Sequence, residues 1–415
     1  MKVAIIGAGI NGLMTAWHCM KSGHQVTILE KNDGSDNCSF GNAGYICPSH
    51  IIQLASPGVI TQGLKWMLKS DSPFYVQPRL SMDLIKWLWN FRKSATTSTV
   101  NKNAKSLFYL LNLSREIYLQ INEELNDGFK LKKEGCLMVY NTDKSRNKEL
   151  KLAEMAQKFG MITEEIDNAK LNEMEPEMNI NALGAVYYPI DCHVNPPAMM
   201  KTLTGALISK GVRILYNQSE LKPLKKNSKV TAIQTSQATH EFDKLVITAG
   251  SWTPYVVRHI TGYSLLIQPG KGYSITYKNT ERKLRHSAIL SDFKVALTPI
   301  DEGFRVGGTM ELSGINQHIK INRVEAILKA ASTVYRGMSL PPPTIKEIWH
   351  GLRPCSPDGL PYIDRVPGYD NILVAAGHAM IGVASAALTG KLVQELIDDR
   401  QLSIQIDAFR INRFG

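Results

Sequence analysis

The fold is decided by residues 2–30, which read KVAIIGAGINGLMTAWHCMKSGHQVTILE. The apolar run at residues 2–6 predicts a buried parallel strand, and the apolar spacing of residues 13–22 predicts a helix. Residues 24–29 predict a second strand, which ends at Glu30. Between the first strand and the helix stands a G-x-G-x-x-G pattern. These parts in this order are typical of a dinucleotide-binding βαβ unit.

The glycines of this pattern have separate mechanical roles. Gly7 permits the tight turn, Gly9 lets the backbone approach a pyrophosphate, and Gly12 lets the helix pack closely on the strand. The helix N-terminus offers N–H groups and the positive end of its dipole to phosphates. Glu30 can accept hydrogen bonds from a ribose 2′-hydroxyl and would repel a 2′-phosphate, which disfavours NADP.

Length and composition limit the class of protein. A chain of 415 residues with 44% hydrophobic and 20% charged residues is typical of a globular protein with two domains. The net charge of +11 comes from scattered Lys and Arg residues, so we expect a solvated surface rather than a nucleic-acid site. The six cysteines show no metal-ligand spacing, so we expect no metal site and a reducing, cytoplasmic compartment. No segment predicts a signal peptide or a transmembrane helix.

Residues 51–130 differ in character from the rest of the chain. Trp66, Trp87 and Trp89 stand among prolines, and helical patterns follow at 81–93 and 105–125. We interpret the tryptophans as core residues rather than as a ligand cage. The segment reads as an insertion or a separate layer.

Glycine-edged turns recur at residues 7–12, 249–251 and 377–382. Turns so far apart in sequence suggest an extended cofactor, which a flavin dinucleotide fits better than a nicotinamide. We therefore predict an α/β fold with a discontinuous, Rossmann-like FAD-binding domain and a substrate domain with an antiparallel sheet and helices. The expected boundaries are 1–60, 150–260 and 345–415 for the FAD-binding domain, and 61–149 and 261–344 for the substrate-binding domain.

Further motifs follow the first unit in a fixed order. They are the loop SFGNAG at 39–44, GLRP at 351–354, SPDGLP at 356–361 and AAGH at 375–378. Together with the first unit, they resemble the D-amino acid oxidase (DAO) family of FAD-dependent oxidoreductases. The 39–44 loop is similar to that of bacterial D-amino acid dehydrogenases, whereas residues 191–194 and 351–361 also resemble glycine oxidases.

The resemblance implies a noncovalent FAD with its flavin at the domain interface. It places the isoalloxazine ring along the loop 38–45, the adenine beside the backbone of Glu220, and the N-terminus of the helix after Gly382 toward the flavin. The implied cofactor-binding residues are Gly7, Gly9, Ile10, Asn11, Gly12, Glu30, Lys31, Cys38, Ser39, Asn42, Ala43, Gly44, Tyr45, Glu220, Ala249, Gly250, Trp252, Gly377, His378, Ile381, Gly382 and Val383.

The resemblance also implies two catalytic residues. Arg353 matches the family arginine that pairs with the substrate carboxylate, and a planar guanidinium suits that role because it binds a carboxylate with two parallel hydrogen bonds. His378 would line the flavin pocket, with a structural role as the alternative. Cys355 lies four residues beyond the position, here Gly351, at which sarcosine oxidases attach FAD, so we expect no covalent link.

Three further residues are expected to bind substrate. Met310 matches a pocket-lining position of glycine oxidases, with core packing as the alternative. Where glycine oxidases have a substrate-binding tyrosine, this chain has Ala296. We therefore expect Tyr273 or Tyr45 to provide a second carboxylate contact, and the smaller side chain leaves room for a larger or cyclic substrate.

The function expected from these features is FAD-dependent oxidative deamination of D-amino acids, with D-proline or hydroxy-D-proline among the candidates. The alternatives are a glycine- or sarcosine-type oxidase that uses oxygen, a noncatalytic FAD-binding subunit, and a tRNA-modifying flavoprotein. The expected partners are the amino or imino acid and an electron acceptor, either quinone or oxygen, but no nucleic acid. Peripheral contact with the inner face of the plasma membrane and homo- or hetero-oligomers stay open.

Overall fold

The computed structural model describes residues 1–35, 37–53, 55–58, 72–226, 229–301 and 303–414. Trp66 and the expected domain boundary at 60/61 lie outside these residues. The helices are α1 Ile10–Lys21, α2 Met82–Ser94, α3 Thr97–Glu124, α4 Asp143–Gln157, α5 Asn168–Met174, α6 Pro196–Ser209, α7 Thr253–Thr261, α8 Ile321–Val334 and α9 Gly382–Ile397. The strands are β1 Lys2–Ile6, β2 Gln25–Leu29, β3 Tyr45–Ile46, β4 Phe74–Val76, β5 Cys136–Tyr140, β6 Glu164–Asp167, β7 Asn179–Ile180, β8 Gly184–Tyr188, β9 Cys192–His193, β10 Arg213–Leu215, β11 Lys222–Lys226, β12 Lys229–Gln234, β13 Thr239–Glu241, β14 Lys244–Ile247, β15 Gln268–Tyr277, β16 Ser287–Leu290, β17 Val295–Ile300, β18 Gly303–Leu312, β19 Tyr335–Arg336, β20 Ile348–Cys355, β21 Tyr362–Arg365 and β22 Ile372–Ala376.

A six-stranded sheet forms around the N-terminal unit, in the order β10-β2-β1-β14-β22-β21. Its strands are parallel except for β21, which pairs with β22 in the antiparallel direction. The central strands β1, β14 and β22 are almost wholly apolar and buried, as a sheet covered on both faces requires. The sheet confirms the predicted βαβ unit and the return of the C-terminal strand to it.

Two helices on one face of this sheet pack closely together. The backbone at Gly390 of α9 lies against the backbone of Met14 in α1, where a larger side chain would collide. Tyr118 of α3 donates a hydrogen bond to the carbonyl of Val383 at 2.7 Å, which fixes the start of α9. The N-terminus of α9 is thereby positioned beside that of α1.

A larger sheet has the order β20-β15-β18-β17-β16-β5-β8-β6, with β4 beside the end of β18. The β16–β5 and β18–β4 pairs are parallel, and the other pairs are antiparallel. Helix α8 covers one face of this sheet with an apolar core. The opposite face meets the loop after β2, because Ser274 donates to the carbonyl of Gly41 at 2.9 Å.

Three strands join a different sheet from the one that the sequence boundaries imply. We expected residues 150–260 and 345–415 in the FAD-binding domain, but β6, β8 and β20 belong to the larger sheet. Strand alternation identifies a strand without identifying its partner, since pairing depends on contacts distant in sequence. The remaining domain boundaries stay a prediction.

The two tryptophans of helix α2, both predicted to lie in the core, have different environments. Trp87 is buried and stacks on Phe91 with ring centroids 5.0 Å apart, as expected. Trp89 is 58% exposed, which corrects its assignment to the core. The helical period explains the difference, because Trp87 and Trp89 lie about 200° apart around the axis. Among the described residues, no helix has the length and apolar character needed to cross a membrane.

Candidate active site

The turn after β1 has the geometry that the glycine pattern predicts. Gly7 has a φ of +105°, and a Cβ on Gly12 would collide with the carbonyl of Gly7. The hydroxyl of Thr248, at the end of β14, lies 2.9 Å from the carbonyl of Ile6 and donates to it. The turn therefore needs glycine at both positions, and it brings the end of β14 beside the start of α1.

The N-terminus of α1 is open to a ligand. Its N-cap is Gly9, which provides no side-chain cap, and its first turn contains no acidic residue. Ser39 Oγ accepts a hydrogen bond from the N–H of Ile10 at 3.0 Å. Glu30 Oε2 accepts one from the N–H of Ala8 at 2.7 Å, so its carboxylate is held beside the turn. The buried Oδ1 of Asn11 has no hydrogen-bond partner among the described residues.

A second helix N-terminus lies at the same place. Helix α9 begins at Gly382 with neither a side-chain cap nor an acidic residue in its first turn. A Cβ on Gly382 would lie 3.8 Å from Nδ2 of Asn11, which places the two helix starts side by side. Two helix N-termini whose N-cap residues provide no capping side chain, a glycine turn and a held carboxylate fit a flavin dinucleotide, because they favour phosphate and electron-rich groups and offer an acceptor to a ribose.

The loop 38–45 is tied to the larger sheet by a buried arginine that the sequence did not indicate. Arg305 on β18 donates to the carbonyl of Phe40 at 2.9 Å and to that of Asn42 at 2.5 Å. Burial lowers the pKa of Arg305 to about 10, so it stays charged at neutral pH. Asn42 Oδ1 also accepts the N–H of Gly44 at 2.8 Å. The loop is thus shaped by fixed polar contacts.

Several predicted cofactor residues lie at the rim of this arrangement. Lys31 and Glu220 are exposed, and Trp252 is 40% exposed just after β14. Glu220 has a φ of +57° and closely follows Gln218, whose N–H donates to the carbonyl of Glu30 at 2.8 Å. The structure therefore brings Glu220 to the side of the turn that holds Glu30, where we expected the adenosine.

His378 lies within the protein rather than at an open surface. Its ring is buried, and its Nε2 lies 3.1 Å from the hydroxyl of Thr389 on α9. Burial lowers the pKa of His378 to about 3, so the imidazole is neutral at physiological pH. This environment favours the structural alternative over proton transfer, although a contact between His378 and the cofactor stays a prediction.

Arg353 occupies a close-packed position on the larger sheet. A Cβ on Gly272 of β15 would collide with the guanidinium of Arg353, which lies across that glycine. Its Nη1 donates to the carbonyl of Thr309 at 2.8 Å, at a bulge where Thr309 has a φ of +64°. No carboxylate of a described residue lies within ion-pairing distance of Arg353, and burial lowers its pKa. Such an arginine can bind a carboxylate from a ligand.

Met310 and Cys355 are next to this arginine. Both lie against Gly270 in β15, and Gly270 pairs with Arg353. Trp87 donates to the carbonyl of Cys355 at 2.8 Å and closes this apolar group. Burial raises the pKa of the Cys355 thiol to about 12, so the thiol stays protonated at neutral pH.

Tyr273 points away from Arg353, which corrects its expected role in substrate binding. Successive side chains of a strand point to opposite faces, and the side chain of Tyr273 packs in the core under α8. Its hydroxyl donates to the buried carboxylate of Glu311 at 2.7 Å. Lys320 and Arg323 complete this ionic group, with nitrogen atoms 3.3 and 3.5 Å from Glu311 oxygens.

The hydroxyl of Tyr45 is also bonded within the protein. It lies 2.7 Å from the carbonyl oxygen of Ala288 on β16 and 2.9 Å from that of Leu297 on β17, and its one proton is shared between these two acceptors. Tyr45 can therefore border the loop, but its hydroxyl is not available for a substrate carboxylate. Ala296 clusters with Ala43 of the loop and with Ile289. Neither Tyr273 nor Tyr45 therefore replaces the tyrosine expected at the position of Ala296.

Comparison with known proteins agrees with this geometry. The profile of the DAO family, described as FAD dependent oxidoreductase, matches residues 2–396. A D-amino acid dehydrogenase of Helicobacter pylori (strain ATCC 700392 / 26695) is 30% identical over 96% of this chain and 95% of its own length. A D-amino acid dehydrogenase of Neisseria meningitidis serogroup C is 27% identical over 100% of both chains.

Solved structures show the same fold. Glycine oxidase from Geobacillus kaustophilus superposes with a TM-score of 0.78 at 20% identity, over 99% of this chain and 98% of its own. L-Proline dehydrogenase from P. horikoshii gives a TM-score of 0.75 at 18% identity, over 100% and 97% of the two chains. The glycine turn, the paired helix starts and the full-length family match lead to one conclusion. The chain belongs to the DAO family of FAD-dependent oxidoreductases.

Proposed function

We propose that this protein catalyses the oxidative deamination of D-amino acids, with Arg353 as the residue that binds the substrate carboxylate. The observation that carries the proposal is the guanidinium of Arg353, which lies over Gly272 without an acidic partner among the described residues. A partly buried cation without a counter-ion is costly, and a carboxylate substrate would neutralise it. The D-amino acid dehydrogenases among the relatives support the choice of substrate class.

A neutral or cyclic side chain suits the surface around Arg353. The residues of β15, β17, β18 and β20 on that face are mostly small, apolar or hydroxyl-bearing, the exceptions being Gln268, Arg305 and Arg353, and none of the described ones is a carboxylate. A basic substrate side chain would find no counter-charge there. This favours substrates such as D-proline or hydroxy-D-proline. A glycine- or sarcosine-type oxidase is the alternative, and the glycine oxidase fold supports it.

The residues of this chain would act mainly by positioning. FAD, when bound, supplies the hydride acceptor. Arg353 would fix the carboxylate, so that the substrate Cα has one orientation, and such orientation accounts for much of the rate in this class of step. Because His378 is neutral and no described residue on the Arg353 face is an acid, the amine would arrive neutral or lose its proton to water. The imine formed then hydrolyses to a 2-oxo acid.

The electron acceptor follows from the choice between dehydrogenase and oxidase. A dehydrogenase would pass its electrons to a membrane quinone, and an oxidase would pass them to oxygen. We propose the quinone, with peripheral attachment to the inner face of the plasma membrane. Assembly into homo- or hetero-oligomers is compatible with this proposal.

The test is anaerobic bleaching of the flavin. The purified, FAD-loaded protein is mixed with D- and L-amino acids, glycine, sarcosine and both enantiomers of proline. We expect rapid loss of the yellow absorbance with neutral D-amino acids and D-proline, and little change with L-amino acids or D-arginine. Bleaching by glycine and sarcosine alone would favour the oxidase alternative, and no bleaching by any compound would exclude the substrate class.

Admission of air then distinguishes the acceptors. A dehydrogenase should recover its colour slowly in air and rapidly with a soluble quinone analogue. Rapid recovery in air with release of hydrogen peroxide would identify an oxidase instead.

A further inference from the structure

Helix α2, residues Met82–Ser94, has two apolar faces. One is buried, and on it Trp87 contacts the active-site strand through the carbonyl of Cys355. The other is exposed, with Met82, Ile85 and Trp89 exposed to 67%, 52% and 58%. A helix that only packs on a core needs one apolar face, so the second face calls for a partner.

The exposed apolar residues form one stripe. Ile85 lies three residues after Met82, and Trp89 four residues after Ile85, which are the spacings of neighbours on one side of a helix. Leu80, just before the helix, is also fully exposed. The stripe thus runs from Leu80 to Trp89, along the first two turns of the helix, with the less exposed Leu88 to one side of it.

Basic residues border this stripe on both sides. At 100° per residue, Lys86 and Lys93 lie along one edge and Arg92 along the other. The ammonium of Lys93 lies 5.3 Å from the ring centroid of Trp89, so its aliphatic stem runs along the apolar stripe. The acid of this helix, Asp83, lies to the side and pairs with Arg258 at 3.4 Å.

We infer that α2 docks the protein on an anionic lipid bilayer through Met82, Ile85 and Trp89, with Lys86, Arg92 and Lys93 at the headgroups. An apolar stripe between basic edges is the pattern of helices that lie in the interface plane of a membrane. Tryptophan favours that interface, and long basic side chains can reach the phosphates while their stems stay in the apolar layer. The overall charge of +11 acts in the same direction.

Docking through α2 would place the substrate side of the enzyme toward the membrane, because the buried face of the same helix contacts β20. This inference rests on the membrane attachment in the proposed function and names the surface that makes it, but it does not depend on the proposed substrate or on turnover. Binding is therefore measured without turnover.

The experiment is flotation of the FAD-loaded protein with vesicles, followed through its flavin fluorescence. Vesicles of phosphatidylcholine alone are compared with vesicles that also contain phosphatidylglycerol. We expect the wild-type protein to float only with the anionic vesicles. The variants Ile85→Ser/Trp89→Ser and Lys86→Glu/Lys93→Glu should each bind about tenfold more weakly. The control variant, Lys201→Glu/Ile208→Ser, changes one exposed Lys and one exposed Ile on α6, which are seven residues apart as Lys86 and Lys93 are. It should bind as the wild-type protein does.

The docking inference is overturned if the wild-type protein does not float, or if the control loses as much binding as the α2 variants. It is also overturned if the wild-type protein is a dimer in solution that the Ile85→Ser/Trp89→Ser variant dissociates, since a second copy would then cover the stripe. Turnover with D-proline and a soluble dye should be the same in all variants. If the wild-type protein shows no turnover with D-proline, the proposed function is rejected, whereas the vesicle result stays valid.

Discussion

The guanidinium of Arg305 donates hydrogen bonds to the carbonyl of Phe40 at 2.9 Å, across the interface between the larger sheet and the loop that borders the cofactor site. The same nitrogen, Nη1, also donates to the carbonyl of Asn42, and Nε donates to the hydroxyl of Thr276 at 2.9 Å. One buried cation thus fixes the loop to the strand β18. We regard Arg305 as a positioning residue for the flavin.

Replacement of Arg305 should weaken FAD binding. Arg305→Met leaves two carbonyls without their donor, and each buried group left unpaired costs about 1–3 kcal/mol. We expect a rise of at least about tenfold in the dissociation constant of FAD, measured by fluorescence titration. The flavin reduction potential should also fall, because a nearby positive charge stabilises the reduced, anionic flavin.

Two further variants test the role of Arg305. Arg305→Lys keeps the charge but loses the fork, so the potential should change less than the affinity does. The exposed Arg336 offers a control, since Arg336→Met should change neither quantity. If the Arg305→Met protein has an unchanged affinity for FAD and an unchanged flavin reduction potential, Arg305 does not position the flavin.

Tyr273 offers a test of the two faces of β15. Tyr273→Phe removes a bond of 2.7 Å to the buried carboxylate of Glu311, and we expect the free energy of unfolding to fall by about 1–3 kcal/mol. The KM for a D-amino acid should stay the same, because the ring points into the core under α8. Urea unfolding and steady-state kinetics measure the two effects. A raised KM with an unchanged free energy of unfolding would show that Tyr273 contacts the substrate after all.

The features that the sequence predicted well are local. Residues 2–30 contain strand, turn, helix and acid in one continuous unit, and the structure has each of them with Gly7 at a positive φ. Hydrophobic periodicity and turn residues depend on only a few neighbouring positions, so they can be recognised from the sequence alone.

The features that the sequence did not reveal depend on distant pairing. Arg305 stands in a strand pattern that gives no sign of its contact with residues 40–42, more than 260 positions away. The direction of Tyr273 depends on which face of β15 α8 covers, and that is decided by residues 321–334. The bulge at Thr309 shifts the register between β15 and β18, which no local signal indicates.

His378 should make stability depend on pH. Burial lowers its folded-state pKa from 6.5 to about 3, so the unfolded chain binds the proton more readily. The stabilisation from a neutral His378 is complete above pH 6.5 and is lost as the pH falls from 6.5 toward 3. The slope for one proton is at most about 1.4 kcal/mol per pH unit.

A pair of variants isolates this contribution. His378→Gln, which can still bond to Thr389, should flatten the fall in unfolding free energy between pH 6.5 and 4.5 relative to the wild type. His259→Gln, at an exposed position on α7, should leave the profile unchanged. Identical slopes for His378→Gln and the wild type would show that His378 does not titrate in this way.

Arg353 is the residue on which the proposed chemistry depends. Arg353→Leu should keep the bound FAD and its yellow colour, because the guanidinium donates to the carbonyl of Thr309 and not to the glycine turn. Its kcat/KM for a D-amino acid should fall by about 10- to 150-fold, equivalent to a lost charged hydrogen bond of about 1.5–3 kcal/mol. Arg353→Lys should recover part of the loss, since it restores the charge without the fork. The control is a pair of compounds, D-proline and pyrrolidine, of which the second lacks the carboxylate. If Arg353 binds that group, the variants should lose activity on D-proline alone, and an equal loss on both compounds would show that Arg353 acts on something else.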